Sequence, residues 1–265
     1  DGMITIDATG FTGLKKIIDL SGDSSLAGKV TIIGDGVNAI YGADGDVFIS
    51  DASVSTIFVN AEWANVAAGT VLADGKIVAL NAFADFESAL AAACGNTAIG
   101  RIEIESDLTQ NVVVNTSDYN TITHQLTIGA AAGKEVSVNI NPAGDSIAVK
   151  VEGNGASLII EDNVKIEWLD VVANGFWTQN EEMIINGEIS AVSLKIWTSN
   201  NGITVNETGK VVLGRGDGQL DWNYGNGFLK VKGTLTDTAE ENLTDGPQFK
   251  AGYTTVQGNS NGGSF

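Results

Sequence analysis

The chain has 265 residues, and 33 acidic residues against 14 basic ones leave a formal charge of −19 at pH 7, which argues against nucleic acid or an anionic membrane surface as a partner, since phosphates are held by clustered Lys and Arg. Hydrophobic residues form 43% of the chain, enough for a sizeable core and too many for disorder. No apolar run approaches the roughly 18 residues of a spanning helix, and the N-terminus lacks the basic start and apolar stretch of a signal peptide; the chain reads as soluble, without membrane insertion, and as a mature or trimmed form.

Its 33 Gly against 2 Pro favour tight turns between short strands. Residues 1–75 read as a β-rich module with strands at 3–7, 30–33, 47–50 and 55–59, and 15–18 is a further strand or a helical turn. The connectors at 34–36 and 43–46 carry Asp35, Asp44 and Asp46, and Asp51 follows the third strand. Carboxylates in Gly-rich turns suit the flexible oxygen coordination of Ca²⁺, the one cofactor suggested, although their spacing is not that of an EF-hand and solvated acidic turns are the plainer account.

Residues 76–97 form a lead-in and a helix. Phe86, Ala89, Leu90 and Ala93 recur at i, i+3, i+4 and i+7 and share one face of a helix over 85–94, with Asp85 as N-cap and Gly95 as the C′ residue that stops it. Cys94 is the only cysteine, so an intrachain disulfide is excluded and a small buried apolar role on this helix is expected.

From 98 to 240 short strands recur about every 8 to 12 residues between Gly, Asn and Asp turns, at 101–105, 112–114, 125–128, 136–140, 147–151, 157–160, 164–168, 183–185, 192–196, 203–205, 210–213 and 228–231. Residues 156–166 and 202–212 repeat one design of strand, acidic or Asn turn, strand, and no Asn-Gly or Asp-Gly pair regularly separates long alternating strands as hairpins require. That combination points to a solenoid in which each coil buries its inward residues on the next. Residues 241–265 read as a tail or linker.

The segment Asn81-Ala82-Phe83-Ala84-Asp85-Phe86-Glu87-Ser88-Ala89-Leu90-Ala91-Ala92-Ala93 followed by Gly100-Arg101-Ile102-Glu103-Ile104 resembles the start of right-handed parallel β-helices of the pectate-lyase-like superfamily, and residues 4–11 and 57–63 look like modules of bacterial surface or autotransporter-like proteins. The resemblance implies an all-β, right-handed parallel β-helix with a capping helix. It also brings in polysaccharide lyases and hydrolases, but their motifs are mostly missing: Arg101-Ile102-Glu103 carries Glu where the hydrolase strand has Lys, and Trp168-Leu169-Asp170-Val171 lacks the His of the lyase segment. Arg101 and Arg215 are the only arginines, a poor endowment for holding a polyuronate.

His124 is the only histidine, which rules out a His-based metal cluster. Trp197 shares its strand phase with Ser193 and Lys195, opposite Val192, Leu194 and Ile196, and so points outward, whereas Trp168 shares phase with Val164 and Ile166 and reads as core. Trp222 and Tyr224 share a face, with Asp221 and Asn223 opposite. Trp197, Trp222 and Tyr224 therefore suit a sugar platform, with packing of a loop against the coil as the plainer account. Arg215-Gly216-Asp217 spells a cell-adhesion tripeptide too short to carry weight.

The function expected from the sequence is a secreted or cell-surface, non-enzymatic structural or adhesive module, whose partner is another copy of itself end to end or the glycans of a host surface. The alternative is a β-helix that binds or cleaves a polysaccharide, with Asp170, Asp217 and Asp221 as its carboxylates.

Overall fold

The structure is a computed structural model that describes residues 4–7, 14–18, 30–33, 37–41, 47–51, 55–61, 81–110, 120–140, 147–173, 181–197, 201–213, 219–222, 228–237 and 248–251. Near the N-terminus, β1 (Ile4–Asp7) pairs in parallel with β3 (Val30–Ile33), while β2 (Leu14–Ile18), β5 (Val47–Asp51) and β4 (Val37–Tyr41) form an antiparallel sheet in the order β2-β5-β4. Residues 15–18 are thus strand rather than helical turn. Next come β6 (Thr56–Val59), β7 (Ala82–Phe83) and α1 (Phe86–Gly95).

After α1 the backbone runs in successive triplets: β8 (Arg101–Ile104), β9 (Leu108–Gln110), β10 (Asn120–Ile122); β11 (Gln125–Ala130), β12 (Val136–Ile140), β13 (Ile147–Val151); β14 (Ser157–Ile160), β15 (Val164–Glu167), β16 (Leu169–Ala173); β17 (Glu182–Ile185), β18 (Glu188–Ala191), β19 (Ser193–Ile196); β20 (Gly202–Val205), β21 (Lys210–Leu213), β22 (Gln219–Trp222); β23 (Phe228–Val231), β24 (Thr234–Asp237), β25 (Gln248–Ala251). Each strand pairs in parallel with its counterpart one triplet away, giving sheets ordered β23-β20-β17-β14-β11-β8-β6-β7, β24-β21-β18-β15-β12-β9 and β10-β13-β16-β19-β22-β25. This is a parallel β-solenoid of about 5 turns. The ladder passes the expected bounds of 98–240 at both ends: β6 pairs with β8, and β25 pairs with β22.

Parallel pairing without slippage sets like on like. In the first sheet Ile57, Ile102, Ile128, Ile160, Ile185 and Val205 form one register column, each at most 1% exposed. The second sheet stacks Leu108, Val138, Ile166, Ile189, Val211 and Leu235. In the third, Val149, Val171 and Leu194 stack. β-Branched residues dominate because they suit the pleat and lose little rotamer freedom on burial. Phe86, Ala89, Leu90 and Ala93 of α1 join the same core, so the helix closes that side of the first coil.

The Asp85 side chain accepts the Ser88 N–H at 2.7 Å, which makes it the N-cap. A partner the sequence did not suggest completes that end: with the amide of buried Gln110 assigned so that its oxygen faces the helix, it accepts the N–H groups of Phe86 and Glu87 at 3.0 and 3.2 Å, two donors that have no partner within the helix. The stop differs from expectation. Gly95 is the last helical residue, and Asn96 ends the helix in an extended conformation (φ −139°) with its N–H on the Ala93 carbonyl at 3.2 Å. The half-buried Cys94 packs on the core as expected, and burial pushes its thiol up to about 11.

Corners among the described residues require glycine. Between the first and second sheets, Gly187, Gly209 and Gly233 lie against carbonyl oxygens of the preceding coil, from Glu161 and Val164, from Ile185, and from Asn206 and Gly209 respectively, where any Cβ would collide. Between the second and third sheets a single residue turns the backbone in the third coil. Trp168, in the left-handed region (φ 67°), ends the alternation begun by Val164 and Ile166, so that fully buried Leu169 enters the core and Trp168 packs on it only partly buried. The reading of Trp168 as a strand residue of the core is corrected accordingly.

Candidate functional site

Register places most of the chemistry-bearing side chains on the outer faces, where they meet residues one or two coils away. Arg101 on β8 donates to Glu161 through both terminal nitrogens, Nη1 to Oε1 at 2.8 Å and Nη2 to Oε2 at 3.0 Å, while its Nε donates to Glu103 at 3.0 Å. This planar fork matches a carboxylate in two parallel bonds, and it raises the arginine's already high pKa further. The pair crosses the intervening coil at Gly129, where a Cβ would strike Glu161 and Arg101. The arginine the sequence weighed as a substrate holder is therefore a cross-coil clamp.

A second cluster lies on the outer face of the second sheet. Lys165, Glu188 and Lys210 are register partners on β15, β18 and β21. Glu188 lies 3.6 Å from Lys165 and 3.4 Å from Lys210, and Lys165 also meets Glu167 at 3.1 Å. The Glu167 bond is the chief cause of the upward shift of Lys165. On the neighbouring edge, Lys134 Nζ donates to the Glu105 carbonyl oxygen at 2.6 Å and to its carboxylate at 3.1 Å. Burial outweighs that cation and keeps the Glu105 carboxyl above its ordinary value.

Asp170, a carboxylate considered for glycosidic chemistry, faces backbone. Its Oδ1 accepts the N–H groups of Val192 at 2.7 Å and Ser193 at 3.0 Å, holding the corner between β18 and β19 one coil on. Asp221 is the register partner of Lys195 and Lys250 in the third sheet, and Asp217 lies outside the described residues. His124 places Nε2 2.7 Å from the Ile99 carbonyl oxygen. Because a carbonyl only accepts, Nε2 carries the proton, and Nδ1 is buried without a hydrogen-bond partner among the described residues. The histidine ties one coil to the segment before it.

Trp197 directly follows β19 and is half-buried, as are Ser193 and Lys195, while Leu194 and Ile196 are fully buried. Val192, expected on the core side, is also half-buried because it forms the corner. The Trp197 indole Nε1 is buried and has no partner among the described residues, so its N–H is not presented to a sugar hydroxyl in solvent. Trp222 is the register partner of Ile196 and Ala251, and neither its side chain nor Tyr224 lies within the described residues. Of the expected Ca²⁺ ligands, Asp51 ends β5 opposite Val37 with its side chain undescribed, and Asp35, Asp44 and Asp46 lie outside the described residues. Among the described residues no three His, Cys, Asp or Glu side chains gather as metal ligands.

Sequence reasoning misses the clamps. The one signal available is chemical alternation at equivalent points of successive coils, Lys165, Glu188, Lys210, visible only once coil lengths are known. Compared with protein-family models, with curated proteins and with solved structures, the protein matches none of them.

Proposed function

We propose that the protein is a non-enzymatic structural or adhesive module of a secreted or cell-surface protein, its solenoid acting as a stiff spacer in a longer surface protein or fibre of the pectate-lyase-like, autotransporter-like kind. The observation that carries this reading is the use of the outer-face charges. Arg101 bridges Glu103 and Glu161, Glu188 lies between Lys165 and Lys210, and Asp170 holds a backbone corner. Among the described residues, Arg101 and Asp170, which would bind or cleave a polymer, are engaged in holding one coil to the next. Exposed pairs contribute little singly, about 0 to 1 kcal/mol, but a row of them fixes register along the axis. The proposed partners are a second copy at a solenoid end and the glycans of a facing surface, with Ca²⁺ as the cation that an acidic protein would recruit.

Two measurements test this reading. Light scattering and negative-stain imaging across protein concentration, with and without Ca²⁺, should show rods that lengthen with concentration. A polysaccharide depolymerisation screen should show no cleavage. Depolymerisation that Asp170→Asn abolishes while the fold persists would overturn the proposal in favour of a carbohydrate-active β-helix.

A further inference from the structure

Three Asn-Gly pairs have both residues among the described positions, Asn154-Gly155, Asn186-Gly187 and Asn201-Gly202, and the fold treats them differently. Asn-Gly is the dipeptide most open to intramolecular attack, because glycine puts no side chain in the way of its own nitrogen, and asparagine is accordingly a thermolabile residue.

The first pair sits at the corner that enters β14. Asn154 is exposed, and Gly155 adopts a left-handed conformation (φ 83°). The Ala156 N–H donates to the Gly153 carbonyl at 2.9 Å, closing a turn with Asn154 and Gly155 as its central residues. That turn leaves the Gly155 N–H outside its hydrogen bond, and the N–H has no partner among the described residues. A Cβ built on Gly155 would meet open space, so the nitrogen has room to move.

In the other two pairs the glycine is buried, and the N–H of Gly187 donates to the Ile160 carbonyl at 3.3 Å. Gly202 is buried in β20 with its backbone packed against that of Phe228.

We infer that Asn154-Gly155 is a site of spontaneous, structure-selected modification, converting to aspartate and isoaspartate in the folded protein while Asn186-Gly187 and Asn201-Gly202 are protected. The Gly155 backbone nitrogen gives up its proton and bonds to Cγ of the Asn154 amide. The Cγ–Nδ2 bond breaks and ammonia departs, leaving a succinimide ring. One water then opens the ring at either carbonyl, giving aspartate or an isoaspartyl linkage. The corner, which already carries Glu152 two residues upstream, gains a further negative charge. At Asn186 the same reaction would have to break the Gly187 hydrogen bond and lift the backbone out of its corner, which requires local opening of the coil.

The whole folded protein is held at mildly alkaline pH, sampled over time and digested. Each Asn-Gly peptide is scored for amide-to-acid mass gain and for isoaspartate by enzymatic methyl transfer. Conversion at Asn154 should run about tenfold or more ahead of Asn186 and Asn201 in the folded protein, and the rates should converge in concentrated urea. Asn154→Ser should remove the early isoaspartate signal of the Asn154 peptide while leaving the slow signals of the Asn186 and Asn201 peptides. Equal rates at Asn154 and Asn186 in the folded protein would overturn the inference, as would an Asn154 that keeps its amide when folded yet converts readily when unfolded.

Discussion

Truncating Ile160 to Ala tests the column that runs through the first sheet. Ile160 is fully buried, stacked between Ile128 and Ile185 by register. The substitution deletes three carbons, worth about 2.4 kcal/mol at roughly 0.8 kcal/mol per buried methylene. The parallel ladder above and below cannot collapse into the gap, so a cavity contribution brings the expected loss to about 3 to 4 kcal/mol. Its neighbour Ile159 supplies the control, since it projects outward and is only half-buried, and Ile159→Ala should cost less than about 1.5 kcal/mol. Urea unfolding followed by circular dichroism measures both; a lower midpoint with unchanged slope reports stability alone. Equal losses for the two variants, or a loss below about 1 kcal/mol for Ile160→Ala, would refute the inward stacking of this column.

Further outcomes follow from the corners and the titrating groups. Gly209→Ala drives a Cβ into the Ile185 carbonyl oxygen and should destabilise by about 2 kcal/mol or more, as overpacking does, whereas Gly95→Ala, with nothing near its Cβ, should be neutral or slightly stabilising by the same unfolding assay. Burial holds Glu105 above its ordinary value of 4.5, so its contribution to stability is fully present below that value and lost as pH rises through the raised pKa. The stability of the wild type relative to Glu105→Gln should therefore fall across that window, and a difference that grows with pH would show the shift to be the other way. With its thiol pushed up to about 11, Cys94 should react with iodoacetamide at pH 8 far more slowly than in the urea-unfolded protein; equal rates would place it outside the core.

The sequence made some of this fold legible and left other parts closed, for physical reasons. The helix was readable because the spacing of Phe86, Ala89, Leu90 and Ala93 is local, and strands such as β12, with Val136, Val138 and Ile140 buried in alternation, declare themselves by period. β16 was not readable as a separate strand. Trp168 turns the corner alone, so no Gly or Pro marks the break, and in the sequence the alternation of Val164 and Ile166 runs on into Trp168; only its left-handed backbone ends the strand. β18 escaped because Ser190 and Ala191, small and weakly patterned, occupy buried positions. The candidate site was less legible still. Arg101 and Glu161 meet across Gly129 only because of coil lengths that no local pattern encodes, and the use of Asp170 on the backbone of Val192 and Ser193 depends on the following coil being in register.

Register is therefore the central claim, and a distance along the axis tests it most directly. Ser137 and Thr234 are exposed and lie at the two ends of one outer column, through Lys165, Glu188 and Lys210. Spin labels on Ser137→Cys and Thr234→Cys, in a Cys94→Ala background, would be four strand spacings apart, about 19 Å between backbones at roughly 4.8 Å each. The stacked solenoid predicts a single narrow distribution near that value, widened only by the label arms. A distribution centred beyond about 30 Å, or one with two separate maxima, would contradict the in-register stack.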